Sequence, residues 1–324
     1  YLGPAVIIEN ALIENNTTHG IAVWGDTGGW IKNSTIQNNG EHAIIAGWSS
    51  DVNITGNTIS GHTNNQSIKI TRSGSAYIKN NTITNGKYAG ISIDQGASAD
   101  IISNTIQSAE NGISVQDSSH ALLKSNTVKN NSSSGLRVDN NASVILAEGN
   151  TFSNNSGYGI RVWLAGSLTM WGDAQLTSPT TISGNTKGPI RVDEGGSAYL
   201  SNLTLASQSK GIIIQNGNFV KLDNVTITGS GEYGIRVWGT NIGLEDSTIS
   251  GSTNAEIYAE FSTINLAKTT ITGTSGSDEI KLNYSSMLFI GTGTTITGTV
   301  TCDGSVDNNS IDNWTNLTLT TSGC

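Results

Sequence analysis

Arg161 and Trp163 belong to the hexapeptide YGIRVW, and the same six residues return at 233–238, where they include Arg236 and Trp238. A tryptophan ring has an apolar face on which a pyranose ring can stack, and an arginine can bind a carboxylate with two parallel hydrogen bonds. Residues of these two types at alternate positions have the chemistry needed to hold an acidic sugar. They predict a carbohydrate-binding site that contains both copies of the pair.

A second group of candidate residues is formed by Arg137, Arg161 and Arg191, which occupy the same position in successive repeats of the sequence. The residues two positions further on are Asp139, Trp163 and Asp193. Three adjacent cations would bind a polyanionic glycan, and one of these arginines is a candidate for the catalytic base of a uronate lyase. The alternative interpretation is structural, with arginine and aspartate forming ion pairs between repeats that contribute roughly a few tenths of a kcal/mol each.

These side chains are positioned by a repeat of 22–24 residues, with one longer repeat of 30. Each repeat contains an aliphatic anchor, and a Thr-Ile pair or its equivalent follows about fifteen residues later. The anchors are Ile21, Ile44, Ile68, Ile91, Ile113, Leu136, Ile160, Ile190, Ile212, Ile235, Ile257 and Ile280. None of the short segments can bury its apolar side alone, so successive repeats must stack. The pattern predicts an all-β protein, a single parallel β-helix of about twelve coils with three short strands in each.

Side chains alternate along a strand, so the residues one and three positions after each anchor point away from the core. The second of these positions holds tryptophan in three repeats, and large apolar groups repeated on one face are typical of a contact surface. The predicted carbohydrate-binding strip consists of Trp24, Arg161, Trp163, Arg191, Arg236 and Trp238. The longest repeat adds a loop within 163–181 that would wall a groove beside the strip and contribute Trp171 and Asp173.

Other recurring residues predict how the turns are built. A glycine precedes the anchor at Gly20, Gly90, Gly112, Gly135, Gly159, Gly211 and Gly234. Glycine at this position fits a turn that needs φ > 0 or a close approach of two backbones. An asparagine precedes the threonine at Asn57, Asn81, Asn104, Asn126 and Asn150, which predicts a stacked ladder of side-chain amides. His19 and His42 also share a position, and we interpret them as turn residues in register, with a metal or acid-base pair as the alternative.

With these repeats, the chain resembles the right-handed parallel β-helices of the pectate-lyase-like superfamily, which includes pectate lyases, polygalacturonases, alginate epimerases, phage tailspikes and bacterial surface proteins. The resemblance covers nearly the whole chain and implies the right-handed fold, which serves both enzymes and non-enzymes. Lyases of the superfamily commonly bind calcium with clustered carboxylates. Here Asp94, Asp139 and Asp193 fall on alternate coils, about 10 Å apart, too far to share one ion. The motif series of the polygalacturonases and the DPH motif of the alginate epimerases are absent. No cofactor is predicted, and a bound calcium ion is the alternative.

The composition limits the partners. The formal net charge is −9 and the pI is about 4.8, and no run of lysine or arginine offsets it, so the long-range field repels nucleic acid. No apolar run approaches the roughly 18–20 residues that cross a bilayer, so no transmembrane segment is predicted.

The two ends of the chain depart from the repeat. We expect Cys302 and Cys324 to form a disulfide that clips a cap at 297–324 onto a β-helix at 1–296, which suits an exported protein. The first repeat begins in mid-pattern, so preceding sequence or a neighbouring subunit is expected to cover that edge. The second option implies end-to-end self-association.

The preferred interpretation is a secreted or cell-surface rod, structural or adhesin-like, that binds a polysaccharide or cell-surface glycan through the strip. One alternative is a polysaccharide lyase or epimerase that acts on an acidic glycan with Arg137, Arg161 and Arg191. A second alternative is a purely structural filament or stalk subunit, in which the strip only faces solvent. The short coils and the missing enzyme motifs favour a rod that is not an enzyme.

Overall fold

The computed structural model describes residues 6–62, 64–170, 178–274, 278–302, 311–312 and 319–322. The chain winds into stacked coils, and each strand pairs in parallel with its equivalent in the next coil. The prediction of a parallel β-helix of about twelve coils with three strands in each is confirmed.

Three parallel sheets run along the rod. Sheet 1 contains the anchors and consists of Ile21–Trp24, Ile44–Gly47, Ile68–Thr71, Ala89–Ile93, Asn111–Val115, Leu136–Val138, Tyr158–Val162, Gly188–Asp193, Ile212–Gln215, Tyr233–Trp238, Ala255–Glu260 and Asp278–Asn283. Sheet 2 consists of Val6–Glu9, Gly28–Lys32, Asp51–Thr55, Ser75–Lys79, Ser98–Ile102, His120–Lys124, Ser143–Leu146, Ser167–Met170, Ser197–Ala206, Val220–Thr228, Asn241–Glu245, Thr263–Ala267, Met287–Ile290 and Ile311–Asp312. Sheet 3 consists of Leu12–Glu14, Thr35–Gln37, Thr58–Ser60, Thr82–Thr84, Thr105–Gln107, Thr127–Lys129, Thr151–Ser153, Thr181–Ser183, Thr248–Ser250, Thr270–Thr272 and Thr295–Cys302. Ser197–Ala206 and Val220–Thr228 continue from sheet 2 into sheet 3, and Leu319–Ser322 pairs with Thr295–Cys302.

The core is a set of aliphatic columns inside the coils. Ile68, Ile91 and Ile113 pair in register on sheet 1, and all three are fully buried. Each fully buried side chain of this size contributes roughly 1.5–3 kcal/mol relative to an exposed one. Because every inward side chain packs on its equivalents in the coils before and after it, the stack holds the outward residues of sheet 1 in fixed register.

The asparagine ladder lies at the turn between sheets 2 and 3. Nδ2 of Asn81 donates to Oδ1 of Asn104 at 3.0 Å, and Nδ2 of Asn104 donates to Oδ1 of Asn126 at 3.1 Å. Asn81, Asn104 and Asn126 are at most 1% exposed. The predicted amide ladder is confirmed, and it satisfies polar groups that the turn would otherwise leave buried without partners.

The glycines before the anchors are explained by close approach. Gly211 is buried, and a Cβ atom added to it would overlap the carbonyl oxygen of Gly234 in the next coil. Positive φ occurs instead at the turn that follows sheet 1, where Trp48 has φ of 53° and Asn140 has φ of 50°. The turn after sheet 1 therefore presents left-handed residues to solvent in successive coils.

At the C-terminal end, Thr295–Cys302 is one continuous strand across the predicted boundary at 296. Cys302 is 5% exposed, while Cys324 lies outside the described residues, so the disulfide and the cap stay predictions. Among the described residues, no helix has the length and hydropathy to cross a membrane.

Candidate functional site

Sheet 1 brings the arginines of the predicted strip into one column. Arg137 pairs with Arg161, and Arg161 pairs with Arg191, in adjacent coils. Arg236 follows two coils beyond Arg191, with Ile213 between them. Adjacent positions are about 4.8 Å apart, so the column offers a row of cations interrupted by one apolar side chain.

Carboxylates hold the first three arginines of this column. Nε of Arg137 donates to Oδ2 of Asp139 at 2.9 Å. Nη2 of Arg161 and Nε of Arg191 both donate to Oδ2 of Asp193, at 3.2 and 2.5 Å. The aspartate side chains are 0% and 3% exposed, whereas the arginine side chains are 26–31% exposed. The three arginines therefore form the ion pairs of the structural interpretation, and the pair between Arg161 and Asp193 joins two coils.

The electrostatics around Arg191 do not favour a catalytic base. Burial raises the pKa of Asp139, although its ion pair with Arg137 acts in the opposite direction. Burial lowers the pKa of Arg191, but hydrogen bonds to Tyr158 and Asp193 outweigh burial and leave that pKa raised. A general base must lose its proton, and these contacts keep the proton on Arg191. The catalytic assignment of the three arginines stays a prediction.

Neighbouring side chains contact both the ring face and the ring nitrogen of Trp163. The guanidinium carbons of Arg161 and Arg137 lie 4.3 and 5.3 Å from the centre of its ring, and Nε1 donates to Oε2 of Glu194 at 2.6 Å. Such cation–π contacts place the arginines against the face that a sugar would use. In this arrangement Trp163 fixes the arginine cluster and presents a half-buried ring.

An open groove of about 400 Å³ lies further along the same sheet. It is lined by Tyr158, Arg191, Lys210, Ile213, Ile214, Gln215, Arg236, Trp238 and Glu260. Nη2 of Arg191 donates to Oε1 of Gln215 at 3.1 Å on one side of the groove. Glu260 accepts a hydrogen bond of 2.5 Å from the hydroxyl of Tyr258 on the other side. Both polar walls are therefore positioned by contacts within the sheet.

Arg236 and Trp238 differ from the preceding copy of the same hexapeptide. Arg236 is exposed, and within the described ranges it takes part in no ion pair. Its guanidinium carbon lies 5.6 Å from the centre of the Tyr258 ring, which supports the side chain from one side. Trp238 is half-buried and follows Gln215 in the second outward column. This pair is the part of the strip whose charge and ring are available to a ligand.

The repeat pattern is also that of a known family. A family model described as "Right handed beta helix region" matches residues 19–174 and 188–323. The chain belongs to the right-handed β-helix family. A comparison of the sequence with curated proteins finds no significant match.

Solved structures resemble this β-helix in fold. The periplasmic alginate epimerase AlgG has 11% sequence identity and a TM-score of 0.64, and the match covers 84% of this chain and 77% of AlgG. Vag8, in its complex with C1 inhibitor, has 12% identity and a TM-score of 0.65, and the match covers 99% of this chain and 96% of that one. At such identities the likeness concerns the fold alone, so the function must be argued from the site of this β-helix.

The carboxylates of sheet 1 do not gather into a metal site. Asp94 forms its own ion pair with Lys69 at 3.0 Å, and Asp139 and Asp193 are paired with the arginines described above. In the part of the chain that the structure describes, no three histidine, cysteine, aspartate or glutamate side chains come together as metal ligands. Trp171 and Asp173, which the sequence places in a loop beside the strip, lie outside the described residues.

His19 and His42 lie side by side before the first two strands of sheet 1. Their rings stack with centres 5.3 Å apart, and Nδ1 of His19 lies 3.3 Å from Oε2 of Glu41. Nδ1 of His42 lies 3.0 Å from the carbonyl oxygen of Gln66, and His42 is 6% exposed. The two residues are in register, as the repeat predicts, and their contacts join consecutive turns.

We expect the free energy of unfolding to fall as the pH drops through the range in which His42 titrates. Burial lowers the pKa of His42 from 6.5 to about 4. The unfolded chain therefore takes up a proton before the folded one does, so the contribution is fully present above the unfolded pKa and is lost as the pH falls towards the folded pKa. The loss amounts to roughly 2 kcal/mol after allowance for solvent screening.

Urea unfolding of wild type and His42→Gln, repeated across this pH window, measures the effect. The variant should show a shallower loss of stability, although not a flat one, because burial also lowers the pKa of His62. His120→Gln, at an exposed position of sheet 2, serves as the control. Equal pH slopes for wild type and His42→Gln would contradict the assignment.

Some lining residues of the groove were not among the predicted site residues. Tyr158 and Lys210 lie two positions before their anchors, where the chain enters sheet 1, and Gln215 lies in the second outward column. The position two residues before each anchor forms a further column, and that column contains both Tyr158 and Lys210. Trp24, by contrast, was predicted as part of the strip but lies in the first coil of sheet 1, far from the groove.

Proposed function

We propose that this β-helix is a secreted or cell-surface rod that binds an acidic polysaccharide in the groove between Arg191 and Trp238. The observation that carries the proposal is the exposed guanidinium of Arg236 beside the half-buried ring of Trp238, in a groove of about 400 Å³. An unpaired arginine on an otherwise acidic protein is suited to a ligand that brings its own carboxylate.

The groove combines charge with an apolar floor. Ile213 lies between Arg191 and Arg236 in the first outward column, and Trp238 stands beside them in the second. A pyranose ring placed on Ile213 and Trp238 would bury its apolar face while its carboxylate meets Arg236. An aromatic ring supplies the apolar face of such a contact, and an arginine supplies two parallel hydrogen bonds to the carboxylate.

The structural role follows from the repetitive architecture. Each coil contacts only its neighbours, so a stack of about twelve coils forms a stiff rod that carries the groove on its side. A rod with one polysaccharide-binding face suits an adhesin-like role outside the cell. The enzymatic alternative is less well supported, since Arg137, Arg161 and Arg191 are held by buried carboxylates.

Calorimetric titration with an oligogalacturonate tests this proposal. Arg236→Gln and Trp238→Ala should each weaken binding by about tenfold, because each removes a central contact of the groove. Arg161→Gln is the matched arginine control, since its guanidinium is already bound to Asp193, and Trp30→Ala is the matched tryptophan control on sheet 2. Both controls should bind as the wild type does.

The same samples report on the alternatives. Unsaturated uronate, detected by its ultraviolet absorbance and lost in Arg161→Gln, would replace the proposal with a lyase. If neither Arg236→Gln nor Trp238→Ala changes the affinity, the groove is not the binding site. Absence of binding to all acidic glycans tested would leave the purely structural rod.

A further inference from the structure

We propose that Trp24, Trp48 and Arg72 form a second binding site, for a single carboxylated pyranose, at the beginning of sheet 1. We call these three side chains the tryptophan wedge. Trp24 and Trp238 share an outward column but belong to the first and tenth strands of sheet 1. They are therefore roughly 43 Å apart at the usual strand spacing, so the wedge is distinct from the groove.

Trp24 reaches over the next coil because that coil has no side chain at the facing position. Gly47 pairs with Trp24 in register, and a Cβ atom on Gly47 would lie 2.9 Å from Cζ3 of the indole. Gly47 is the only glycine in this outward column of twelve residues. The sequence thus leaves room for one ring on the outer surface of sheet 1, which places that ring where a ligand can reach it.

Trp48 extends this surface from the turn that follows the strand. Its ring centre lies 5.1 Å from that of Trp24, and the two planes meet at 44°, so the rings form a wedge and not a parallel stack. Trp48 is 53% exposed and has φ of 53°. A bulky residue in the left-handed region costs about 1 kcal/mol or more, and the contacts of this ring with Trp24 and Arg72 offset that cost while half of the side chain stays exposed.

Other coils show what this turn position accepts without strain. Asn140 and Asn216 occupy the equivalent turns, with φ of 50° and 49°, and asparagine tolerates the left-handed region. Phe261 and Tyr284, with φ of 49° and 51°, carry aromatic rings at the same turn position, and those two rings stack with centres 5.2 Å apart. Backbone conformation therefore does not explain a tryptophan at position 48. Two tryptophan rings grouped on one exposed face are typical of a contact surface.

Arg72 supplies the charge of the site. It occupies the same turn position one coil later, and its guanidinium carbon lies 4.8 Å from the centre of the Trp48 ring. The side chain is exposed, and no described carboxylate forms an ion pair with it, in contrast to Lys69, which is paired with Asp94 at 3.0 Å. Arg72 covers one face of the Trp48 ring, so the apolar surface left for a ligand is the Trp24 ring together with the rest of the Trp48 ring. That surface, beside a guanidinium that forms no ion pair with a described carboxylate, fits a ring with an apolar face and a carboxylate.

The wedge shares its ligand class with the proposed function but does not depend on the groove. It is therefore tested in the Arg236→Gln/Trp238→Ala double variant, in which the groove is disabled. Calorimetric titration with an oligogalacturonate, and with its methyl ester as the uncharged counterpart, should find one remaining site per chain. Binding of the acid should be tighter than binding of the ester, because only the acid pairs with Arg72.

Added to the double variant, Trp48→Ala should weaken the remaining binding by at least about tenfold. Arg72→Gln, at an exposed position that folding does not require, should remove the preference for the acid over the ester. Trp30→Ala, which removes a tryptophan that is 45% exposed on sheet 2, should change neither quantity.

Three results would overturn the wedge: no binding in the double variant, unchanged affinity in Trp48→Ala, or equal affinity for acid and ester before Arg72 is changed. The same titrations test the groove independently of the wedge. If the double variant binds with wild-type affinity and stoichiometry while Trp48→Ala does not, the groove is wrong and the wedge stands.

Discussion

Gly211→Ala is expected to destabilise the protein by about 3 kcal/mol or more, because the substitution adds a methyl group where two backbones meet. The added Cβ atom would overlap the carbonyl oxygen of Gly234, which belongs to the backbone of the next coil. A flexible side chain could move aside, but a backbone carbonyl that is bonded into the stack cannot. Two coils would have to separate, and the parallel pairing between Ile212 and Ile235 would be strained.

Urea unfolding and thermal melts of Gly211→Ala measure this effect. Gly243→Ala is the matched control, because a Cβ atom there has no neighbour within 4 Å and points outward from sheet 2. The control should be neutral or slightly more stable, since alanine restricts the unfolded chain. Because each coil contacts only its neighbours, the melt of Gly211→Ala is expected to broaden or split. Similar midpoints for the two variants would show that the coils do not approach as closely as described.

Asn104→Ala is expected to destabilise the protein by about 2–4 kcal/mol, because it breaks the amide ladder in the middle. The Asn104 amide donates to the carbonyl oxygen of Ile78 at 2.9 Å and to Oδ1 of Asn126 at 3.1 Å. Its Oδ1 accepts from the backbone nitrogen of Asn81 at 2.9 Å. Alanine removes these bonds and leaves buried donors and acceptors unsatisfied on both sides, which costs more than the loss of the bonds alone.

The control for this variant is Asn265→Ala, at an exposed position of sheet 2. Asn265 makes one hydrogen bond, to the carbonyl oxygen of Ile242 at 3.3 Å, and water can replace it. Its loss should change the free energy of unfolding by less than about 0.5 kcal/mol. Chemical denaturation of both variants compares them directly, and an Asn104→Ala protein as stable as Asn265→Ala would show that the ladder is not a structural element.

The candidate site was only partly predictable. The two outward columns of sheet 1 follow from alternation along a strand, and the arginines indeed lie in register there. The sequence did not show which of these arginines lacks an ion pair. Arg161 and Arg236 occupy equivalent positions in identical hexapeptides, and the next coil presents a carboxylate to each, Asp193 or Glu260. Only Arg161 forms the ion pair, because Glu260 accepts a hydrogen bond from Tyr258 instead.

The tryptophan wedge was likewise only partly predictable from the sequence. Trp24 was recognised from its column, but its contact with Trp48 depends on the left-handed conformation of the turn and on the absence of a side chain at Gly47. Arg72 joins it because consecutive turns stack, which brings residues 24 positions apart in the sequence within contact distance. The stacking of turns follows from the period, but the turn conformation and the space left at Gly47 do not, so the repeat alone did not assign Trp48 or Arg72 to a site.

By itself, the sequence determined the coil period, the inward aliphatic columns and the asparagine ladder. All three depend on positions that recur along one dimension, and residues that recur every 23 positions or so must pack on their equivalents in the neighbouring coils. Only the tertiary structure decided which charges are neutralised and which rings are covered. Those outcomes depend on side chains from different coils competing for the same partner, as Arg161 and Arg191 do for Asp193, and on turns whose conformation places a ring over its neighbour.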